Sequence, residues 1–406
     1  MTQSVLGSIT MGYEPLWNQW RKRIGVRLWL DPESSSAVDA RHLIESLQEL
    51  WPAPKEICLL HARSPGLLSD LLDHTTAHNI WLEVPQLWLS DALLAGRVRK
   101  AHQRGVKLVW LGEPGQHPEP ETASWFHTHI LSLTAQEALA SLRAALRHGH
   151  DGGSHGPQHI PSPVRAGALY EALASQALVE HALDQQHVQG VAGWPNEEML
   201  YAYRYRQIQP ARQILLDLVH AIEADESLEA LEHTMGNEPL LCYRFLRYAN
   251  SAGLGLRNEV SSLRQGLMTL GYSRLRAWLM EQLPHASADT NLDPIRHTMV
   301  LRARIMEHMA DAGVEDDLRR EVFLCGVFSQ VDLLLGENLG AALHRLPLPG
   351  RVASAVVGQT GPYAPWLEVA AALEGRNTKV IREVCRAHQM PADEVNRALL
   401  RALAQS

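Results

Sequence analysis

The sequence predicts an α/β domain of the (β/α)8-barrel type at residues 1–195 and an all-α domain at residues 196–406. In the first part, short apolar runs alternate with amphipathic stretches, a pattern that is typical of parallel strands joined by helices. After Pro195 such runs stop, and apolar residues recur at helical spacing. A chain of 406 residues is long enough for two domains that each have a core.

Six apolar runs in the first part are predicted strands. They begin at Gly25, Lys55, Asn79, Gly105, Thr128 and His187. Between them, residues 37–50 and 135–148 carry apolar residues at positions i, i+3, i+4 and i+7, as amphipathic helices do. Because about 195 residues is close to the lower size limit of a (β/α)8 barrel, we expect a trimmed or partly open barrel.

Two groups of histidines lie in this part, and we interpret neither as a metal site. Residues 147–163 are rich in Gly, Ser and Pro and predict a mobile loop, whereas metal ligands are held by rigid elements. His74 and His78 lie one helical turn apart without an evident third ligand, which indicates a solvated helix face. The histidines of the predicted loop are His148, His150, His155 and His159.

The second part is predicted to be helical throughout. The first two helices cover residues 212–222 and 228–235. Asn237 is the predicted N-cap of the third helix, with Glu238 in its first turn. Further predicted helices cover residues 299–309, 320–335 and 392–403.

Composition narrows the class of protein. The chain is 46% hydrophobic and 20% charged, as ordinary globular proteins are, and its net charge of -8 argues against a general nucleic-acid binder. Its four cysteines form no CxxC pair, which indicates neither a disulfide framework nor a cysteine zinc site. No signal peptide pattern is evident, and no segment approaches the roughly 18 apolar residues of a membrane helix. We therefore expect a cytoplasmic protein that binds neither nucleic acid nor a membrane.

Residues 237–278 carry a dense motif that closely resembles the HDOD domain. Residues 245–252 read FLRYANSA, close to the helix pattern LLRxxNSA of that family, and they are followed by glycine, a Val-Ser-Ser-Leu segment and Leu-Gly. The matching positions are Arg247, Asn250, Ser251, Ala252, Gly255, Ser261, Ser262, Leu270 and Gly271.

The motif residues have a structural interpretation and a functional one. Asn250 and Ser251 are expected to satisfy backbone groups at a helix end, and the alternative is a surface that contacts a partner. Ser261 or Ser262 is expected to cap a short helix that ends at Gly271.

The remaining helical part resembles proteins that join an EAL domain to an HDOD domain. The resemblance implies that the first part is an EAL domain, a (β/α)8 barrel which, when active, hydrolyses cyclic di-GMP with divalent metals held by carboxylates and an asparagine. The positions kept from the EAL motifs are Glu14, Leu16, Glu83 and Gln189.

Most residues that the resemblance assigns to catalysis are replaced. The replacements are Asn18 for a phosphate-binding arginine, Ala62 for a metal-ligand asparagine, and Leu111 and Gly112 for paired aspartates. No lysine lies between Lys107 and Lys379, so the catalytic lysine is missing. The glutamates near residues 166–171 are out of register with the A-E-G-V-E-T motif of the family. Two surviving glutamates cannot hold two divalent ions, which need several oxygen ligands.

The HDOD fold resembles metal phosphohydrolases that carry a consecutive His-Asp pair. Ser329 and Gln330 stand at these positions, and neither replaces an anionic ligand. We interpret Asp332 and His297 as helix-face residues rather than metal ligands.

Together the resemblances imply an enzymatically inactive bacterial signalling protein without a cofactor or a metal. Its partners would be other signalling proteins, unidentified, in cyclic di-GMP pathways. One alternative is a non-hydrolytic cyclic di-GMP receptor in which Arg63 replaces a lost phosphate ligand, although loss of the arginine and lysine argues against it. An active phosphodiesterase would need a substitute for nearly every catalytic residue. We interpret the arginines of the HDOD segment as helix-surface residues rather than nucleic-acid contacts.

Overall fold

In the computed structural model, eight strands close into a barrel in the first half of the chain. The structure describes residues 4–33, 38–51, 56–76, 78–148, 162–255, 258–310 and 315–405. The strands are β1 (Ile9–Trp17), β2 (Arg23–Pro32), β3 (Ile57–Ala62), β4 (Ile80–Pro85), β5 (Lys107–Leu111), β6 (Thr128–Leu131), β7 (Leu169–Glu171) and β8 (Gly190–Ala192). They follow the order of the chain around the ring. Strands β2 to β8 run parallel, whereas β1 is antiparallel to both of its neighbours, β2 and β8.

Of the two alternatives, a trimmed or a partly open barrel, the second is wrong, because the ring is closed. Strand β1 completes it, with Leu16 opposite Ala192 of β8. The sequence patterns missed β1, in which Glu14 and Pro15 interrupt the apolar run, and β7, which has only three residues. The other six strands coincide with the predicted runs.

Short helices connect the strands. They are α1 (Ala40–Leu50), α2 (Pro65–His74), α3 (Ala92–Gln103), α4 (Pro120–Ala123), α5 (Ala135–His148) and α6 (Gln176–Glu180), and α7 (Asn196–Ala202) follows β8. Side-chain caps mark the start of α1, α2, α3 and α6; the Ser64 hydroxyl, for example, accepts from the N–H of Leu67 at the start of α2. Of the predicted histidine loop, His150, His155 and His159 lie outside the described residues.

The rest of the chain is helical, as predicted. The helices are α8 (Arg212–Glu223), α9 (Leu228–Gly236), α10 (Pro239–Ala249), α11 (Leu263–Gln282), α12 (Asp293–Met309), α13 (Asp316–Phe328), α14 (Val331–Leu335), α15 (Leu339–Leu343), α16 (Gly350–Val356), α17 (Ala364–Leu373), α18 (Thr378–Ala387) and α19 (Ala392–Gln405). The helix predicted at residues 320–335 is in fact two, α13 and α14. Glu238, rather than the predicted Asn237, caps α10, because its carboxylate accepts from the N–H of Leu241.

The chain divides into two compact units. The first contains Met1–Met199 and Ala372–Leu400, and the second contains Leu200–Ala371 and Arg401–Ser406. The sequence predicts one helical domain over residues 196–406, whereas the structure groups α18 and most of α19 with the barrel. Asn396 of α19 donates to the carbonyl oxygens of Leu6 and Ile9, at 2.8 and 2.7 Å, and Thr378 donates to Asp31 at 2.8 Å.

Among the residues that the structure describes, no helix is both long and apolar enough to cross a membrane. All four cysteines are buried and free.

Candidate functional site

The interior of the barrel has an apolar layer with a charged layer next to it. The apolar layer consists of Leu16, Leu59, Trp81, Val109, Ile130, Leu169 and Ala192. Side chains alternate between the two faces of a strand, so positions two residues away on the same strands also point inward. On β1, β3, β4 and β7 these positions are Glu14, His61, Glu83 and Glu171.

Arg27 of β2 lies at the centre of the charged layer and contacts three carboxylates. Its Nε donates to one oxygen of Glu83 at 2.9 Å and its Nη2 donates to the other. Its Nη1 donates to Glu171 at 2.7 Å and to Glu14 at 3.3 Å. The side chains of Arg27 and Glu83 are 1% and 0% exposed, so the pair is shielded from water. We call Arg27, Glu14, Glu83 and Glu171 the ion cluster.

Two aromatic side chains cover the ion cluster. The Nδ1 of His61 lies 3.0 Å from a carboxylate oxygen of Glu83. The ring of Trp29 lies 4.3 Å from the ring of His61, and the Cζ of Arg27 lies 4.0 Å from the centre of the Trp29 ring. Trp29 therefore holds the guanidinium by a cation–π contact and helps to exclude water.

Burial and pairing act in opposite directions on the pKa of Glu14, Glu83 and Arg27. Burial raises the pKa of Glu14, and the nearby Arg27 only partly reverses this. Burial also raises the pKa of Glu83, but Arg27 and His61 more than reverse it, so the pKa of Glu83 lies below its ordinary value. For Arg27, burial lowers the pKa, and the surrounding carboxylates outweigh burial and raise it. Arg27 therefore remains charged at every physiological pH.

The structure brings together some of the predicted remnant residues and separates others. Glu14 and Glu83 belong to the ion cluster, whereas Leu16 belongs to the apolar layer. Gln189 directly precedes the first residue of β8, and therefore lies at the end of the parallel strands opposite to Glu171, the last residue of β7.

Sequence reasoning missed two members of the ion cluster. Only Glu14 and Glu83 were expected to survive as glutamates of this site, whereas the carboxylate of Glu171 also bonds to Arg27. The role of Arg27 was not predicted. A charged residue inside the apolar run of β2 does indicate a buried partner of opposite charge, because a buried charge without one is costly.

The positions of the missing aspartates, at the end of β5, are apolar and crowded. Leu111 packs against the apolar layer. A Cβ atom on Gly112 would lie 2.1 Å from the ring of Trp110, whose Nε1 donates to Gln86 at 2.6 Å. This backbone therefore has no room for an aspartate at residue 112. Ala62, in place of the asparagine, is buried at the end of β3.

The residues of this barrel do not fit the two divalent metals that the EAL resemblance implies. The carboxylates already bond to a guanidinium, and a second cation beside it would be repelled. Across the described parts of the chain, no three His, Cys, Asp or Glu side chains form a group that could hold a metal ion.

In the helical unit, Asn250 holds the turn that follows α10. Its side-chain nitrogen donates to the carbonyl oxygens of Leu246 and Val260, and its side-chain oxygen accepts from the N–H of Val260, at 2.8 Å in each case. These bonds give Asn250 a structural role, because they satisfy backbone groups at a helix end. The N–H of Ser251 donates to the carbonyl oxygen of Tyr248 at 2.9 Å.

The other motif residues shape α11 or lie on the surface. Ser262 caps α11 by accepting from the N–H of Gln265 at 3.2 Å, and the N–H of Ser261 donates to the side chain of Gln265 at 3.0 Å. Gly271 has φ 69° and ψ 167°, so it kinks α11. Arg247 is exposed, with its Cζ 5.8 Å from the centre of the Tyr243 ring.

The positions of the lost His-Asp pair lie at the end of α13. The hydroxyl of Ser329 donates to the carbonyl oxygen of Gly326 at 2.7 Å and accepts from Arg302 at 3.2 Å. Ser329 is therefore part of the packing between α12 and α13.

Comparison with known proteins identifies the helical unit. Residues 209–335 match the model of the HDOD domain. The cyclic di-GMP phosphodiesterase CdgJ of Vibrio cholerae is 22% identical over 200 residues, which are 49% of this chain and 46% of CdgJ. The uncharacterised protein YuxH of Bacillus subtilis is 25% identical over 167 residues, 40% of each chain.

The match therefore spans less than half the length of both relatives. Among solved structures, the EAL enzyme Bd1971 in its cGMP-bound form aligns with 46% of this chain and 60% of its own, with a TM-score of 0.30 and 11% identity. The chain contains a closed eight-stranded barrel in its first half and an HDOD domain at residues 209–335.

Proposed function

We propose that this chain is an enzymatically inactive signalling protein that acts through contacts with other proteins in cyclic di-GMP pathways. The observation that carries this proposal is the ion cluster, in which Arg27 neutralises the carboxylates that a metal-dependent hydrolase would need for its ions. A guanidinium can neutralise charge, but it cannot supply the open coordination position at which a metal activates water. The barrel would then serve as a folded scaffold.

The connection to cyclic di-GMP is supported by the likeness to CdgJ, which is named a cyclic di-GMP phosphodiesterase. The HDOD match at residues 209–335 supports the same signalling context, because the sequence motifs resemble those of proteins that join an EAL domain to an HDOD domain.

A second candidate function is a receptor that binds cyclic di-GMP without hydrolysing it. Arg63 lies near the ion cluster, with its Cζ 5.7 Å from the ring of Trp29, and it donates to the carbonyl oxygen of Arg376 at 3.0 Å. Arg376 is close enough to Glu14 to lower the pKa of that carboxyl. Two exposed arginines could pair with two phosphate groups, so this candidate requires a direct test.

The test is calorimetric titration of cyclic di-GMP into the purified chain, with magnesium present and then absent, followed by a hydrolysis assay on the same sample. CdgJ serves as the positive control for hydrolysis. We expect no saturable heat at high micromolar ligand and no hydrolysis. Hydrolysis at a rate comparable with that of CdgJ would overturn the proposal.

Saturable binding without hydrolysis would favour the receptor instead. In that case the double variant Arg63→Met, Arg376→Met should lose binding, whereas Arg97→Met should retain it, because Arg97 pairs with Asp73 on the surface.

The protein-contact part is tested by retention of partners from the native bacterium. We expect at least one partner that the wild-type chain retains and the variant Arg247→Glu loses, since Arg247 is an exposed residue of the HDOD motif. An identical set of retained proteins would argue against this surface.

A further inference from the structure

A cavity of about 310 Å³ lies in the helical unit and is separate from the positions of the lost His-Asp pair. It is lined by residues of α9, α12 and α13 and by the first residue of α11, and the lining includes Glu232, His233, Arg304, Glu307, Arg320 and Phe323. A cavity of this size is at the lower end of the range that holds small ligands. Its α13 residues lie between Asp316 and Leu324, whereas Ser329 follows the last residue of that helix, Phe328.

Arg304 is a buried cation at this cavity. The residue is 5% exposed. Its Nη2 donates to the side-chain oxygen of Asn237 at 2.8 Å and lies 3.4 Å from both ring nitrogens of His233. Its Nε is buried and makes no hydrogen bond within the described part of the chain. No carboxylate of the described residues forms an ion pair with it.

Two other buried arginines, Arg27 and Arg296, have carboxylate partners. Arg27 contacts three carboxylates in the ion cluster. Arg296 contacts Glu238 at 2.9 Å and Asp293 at 3.0 Å. Arg304 differs from these two arginines because no carboxylate in the part of the chain that the structure describes pairs with it. A buried positive charge without an anionic partner is costly, which indicates that an anion binds beside Arg304.

The other charges that line the cavity largely neutralise one another. Glu232 pairs with Arg320 at 3.3 Å and with Arg264 at 3.5 Å, and Arg319 pairs with Asp316. Burial lowers the pKa of His233, and Arg304 lowers it further, so the imidazole is mainly neutral at pH 7 and can donate or accept a hydrogen bond. Burial lowers the pKa of Arg304 as well, and the negative charge of Glu307 only partly reverses this.

We propose that this cavity binds a phosphate-bearing small molecule, whose phosphate group pairs with the guanidinium of Arg304. A phosphate has several acceptor oxygens, and the cavity offers the unbonded Nε of Arg304 and the imidazole of His233 as donors. A phosphate would also be the negatively charged partner that Arg304 lacks. This proposal does not rest on the function proposed for the barrel.

The test uses inorganic phosphate and pyrophosphate as probes, with the full chain and at constant ionic strength. We expect saturable heat on titration with pyrophosphate and a rise in the melting temperature of the helical unit. Arg304→Met should weaken binding at least tenfold. The matched control is Arg351→Met, because Arg351 pairs with Glu321 and does not line the cavity; it should bind pyrophosphate as the wild type does.

The variant is expected to fold, because it removes a buried charge that lacks an anion. If Arg304→Met nevertheless fails to fold, Arg304→Lys keeps the charge without the planar fork and should bind pyrophosphate several-fold more weakly than the wild type.

Three results would overturn the proposal. The first is the absence of saturable binding of both probes to the wild type at millimolar concentration. The second is equal binding by the wild type and a folded Arg304 variant. The third is that sodium acetate at the same ionic strength stabilises the wild type as much as pyrophosphate does, which would indicate a general anion effect.

Discussion

Arg27 is enclosed by three carboxylates, and removal of its charge would leave them buried together. We expect Arg27→Met to lower the free energy of unfolding by about 3 to 5 kcal/mol at neutral pH, the usual cost of breaking a buried ion pair. Urea denaturation followed by tryptophan fluorescence measures this, since nine of the eleven tryptophans precede residue 200. Arg97→Met, which breaks a surface pair, should cost no more than about 1 kcal/mol. Equal losses in the two variants would contradict a central role for Arg27.

Glu83 gives the ion cluster a defined pH dependence. Its pKa in the folded state lies below the ordinary value of 4.5, so its contribution to stability is present above that pH and is lost as the pH falls through the folded-state pKa. We therefore expect Glu83→Gln to be less stable than the wild type at pH 7, and the difference to shrink as the pH falls below 4.5. Urea denaturation across this pH range measures the difference. A constant difference would show that Glu83 does not titrate in the expected direction.

Asn250 supports one turn with three hydrogen bonds. Asn250→Ala would leave the N–H and the carbonyl oxygen of the buried Val260 without their partner, at an expected cost of about 1 to 3 kcal/mol, whereas the carbonyl oxygen of Leu246 still accepts from the backbone N–H of residue 250. Thermal unfolding of the helical unit measures the loss. If the stability is unchanged while partner retention is lost, the partner-contact interpretation of the motif is the correct one.

At the scale of elements, Gly271 allows two helical segments to meet within α11. Its backbone conformation is accessible essentially to glycine, and a Cβ atom there would meet nothing within 4 Å. Gly271→Ala should therefore cost about 1 to 3 kcal/mol through backbone strain alone. Gly350→Ala is the matched control, because Gly350 also has open space but begins α16 with ordinary helical geometry. Denaturation curves that place both variants at the wild-type stability would show that α11 straightens without cost.

At the scale of the whole molecule, the barrel is completed by a segment from the far end of the chain. Asn396 donates to two buried carbonyl oxygens beside β1. Asn396→Ala should destabilise the barrel by about 1 to 3 kcal/mol, because both oxygens lose their partner. Arg397→Ala removes only an ion pair with Asp393, one helical turn earlier in α19. Its free energy of unfolding should stay within about 0.5 kcal/mol of that of the wild type. Tryptophan fluorescence distinguishes the variants, and equal stability would contradict the grouping of α19 with the barrel.

By itself, the sequence determined the features that depend on residues close together in the chain. The alternation of apolar runs and amphipathic stretches predicted six of the eight strands, and the cap at Ser262 and the break at Gly271 followed from local backbone preferences. The dense motif predicted the HDOD domain, which the match over residues 209–335 confirms.

Only the tertiary structure decided what the barrel residues do together. Glu14, Arg27, Glu83 and Glu171 lie on four strands, and they meet because closure of the ring fixes the register between those strands. The sequence of each strand shows which of its residues point inward. It does not show which inward residues of distant strands lie at the same height along the barrel axis. For the same reason, neither the charge partners of Arg27 nor the place of Asn396 against β1 could be predicted from the sequence.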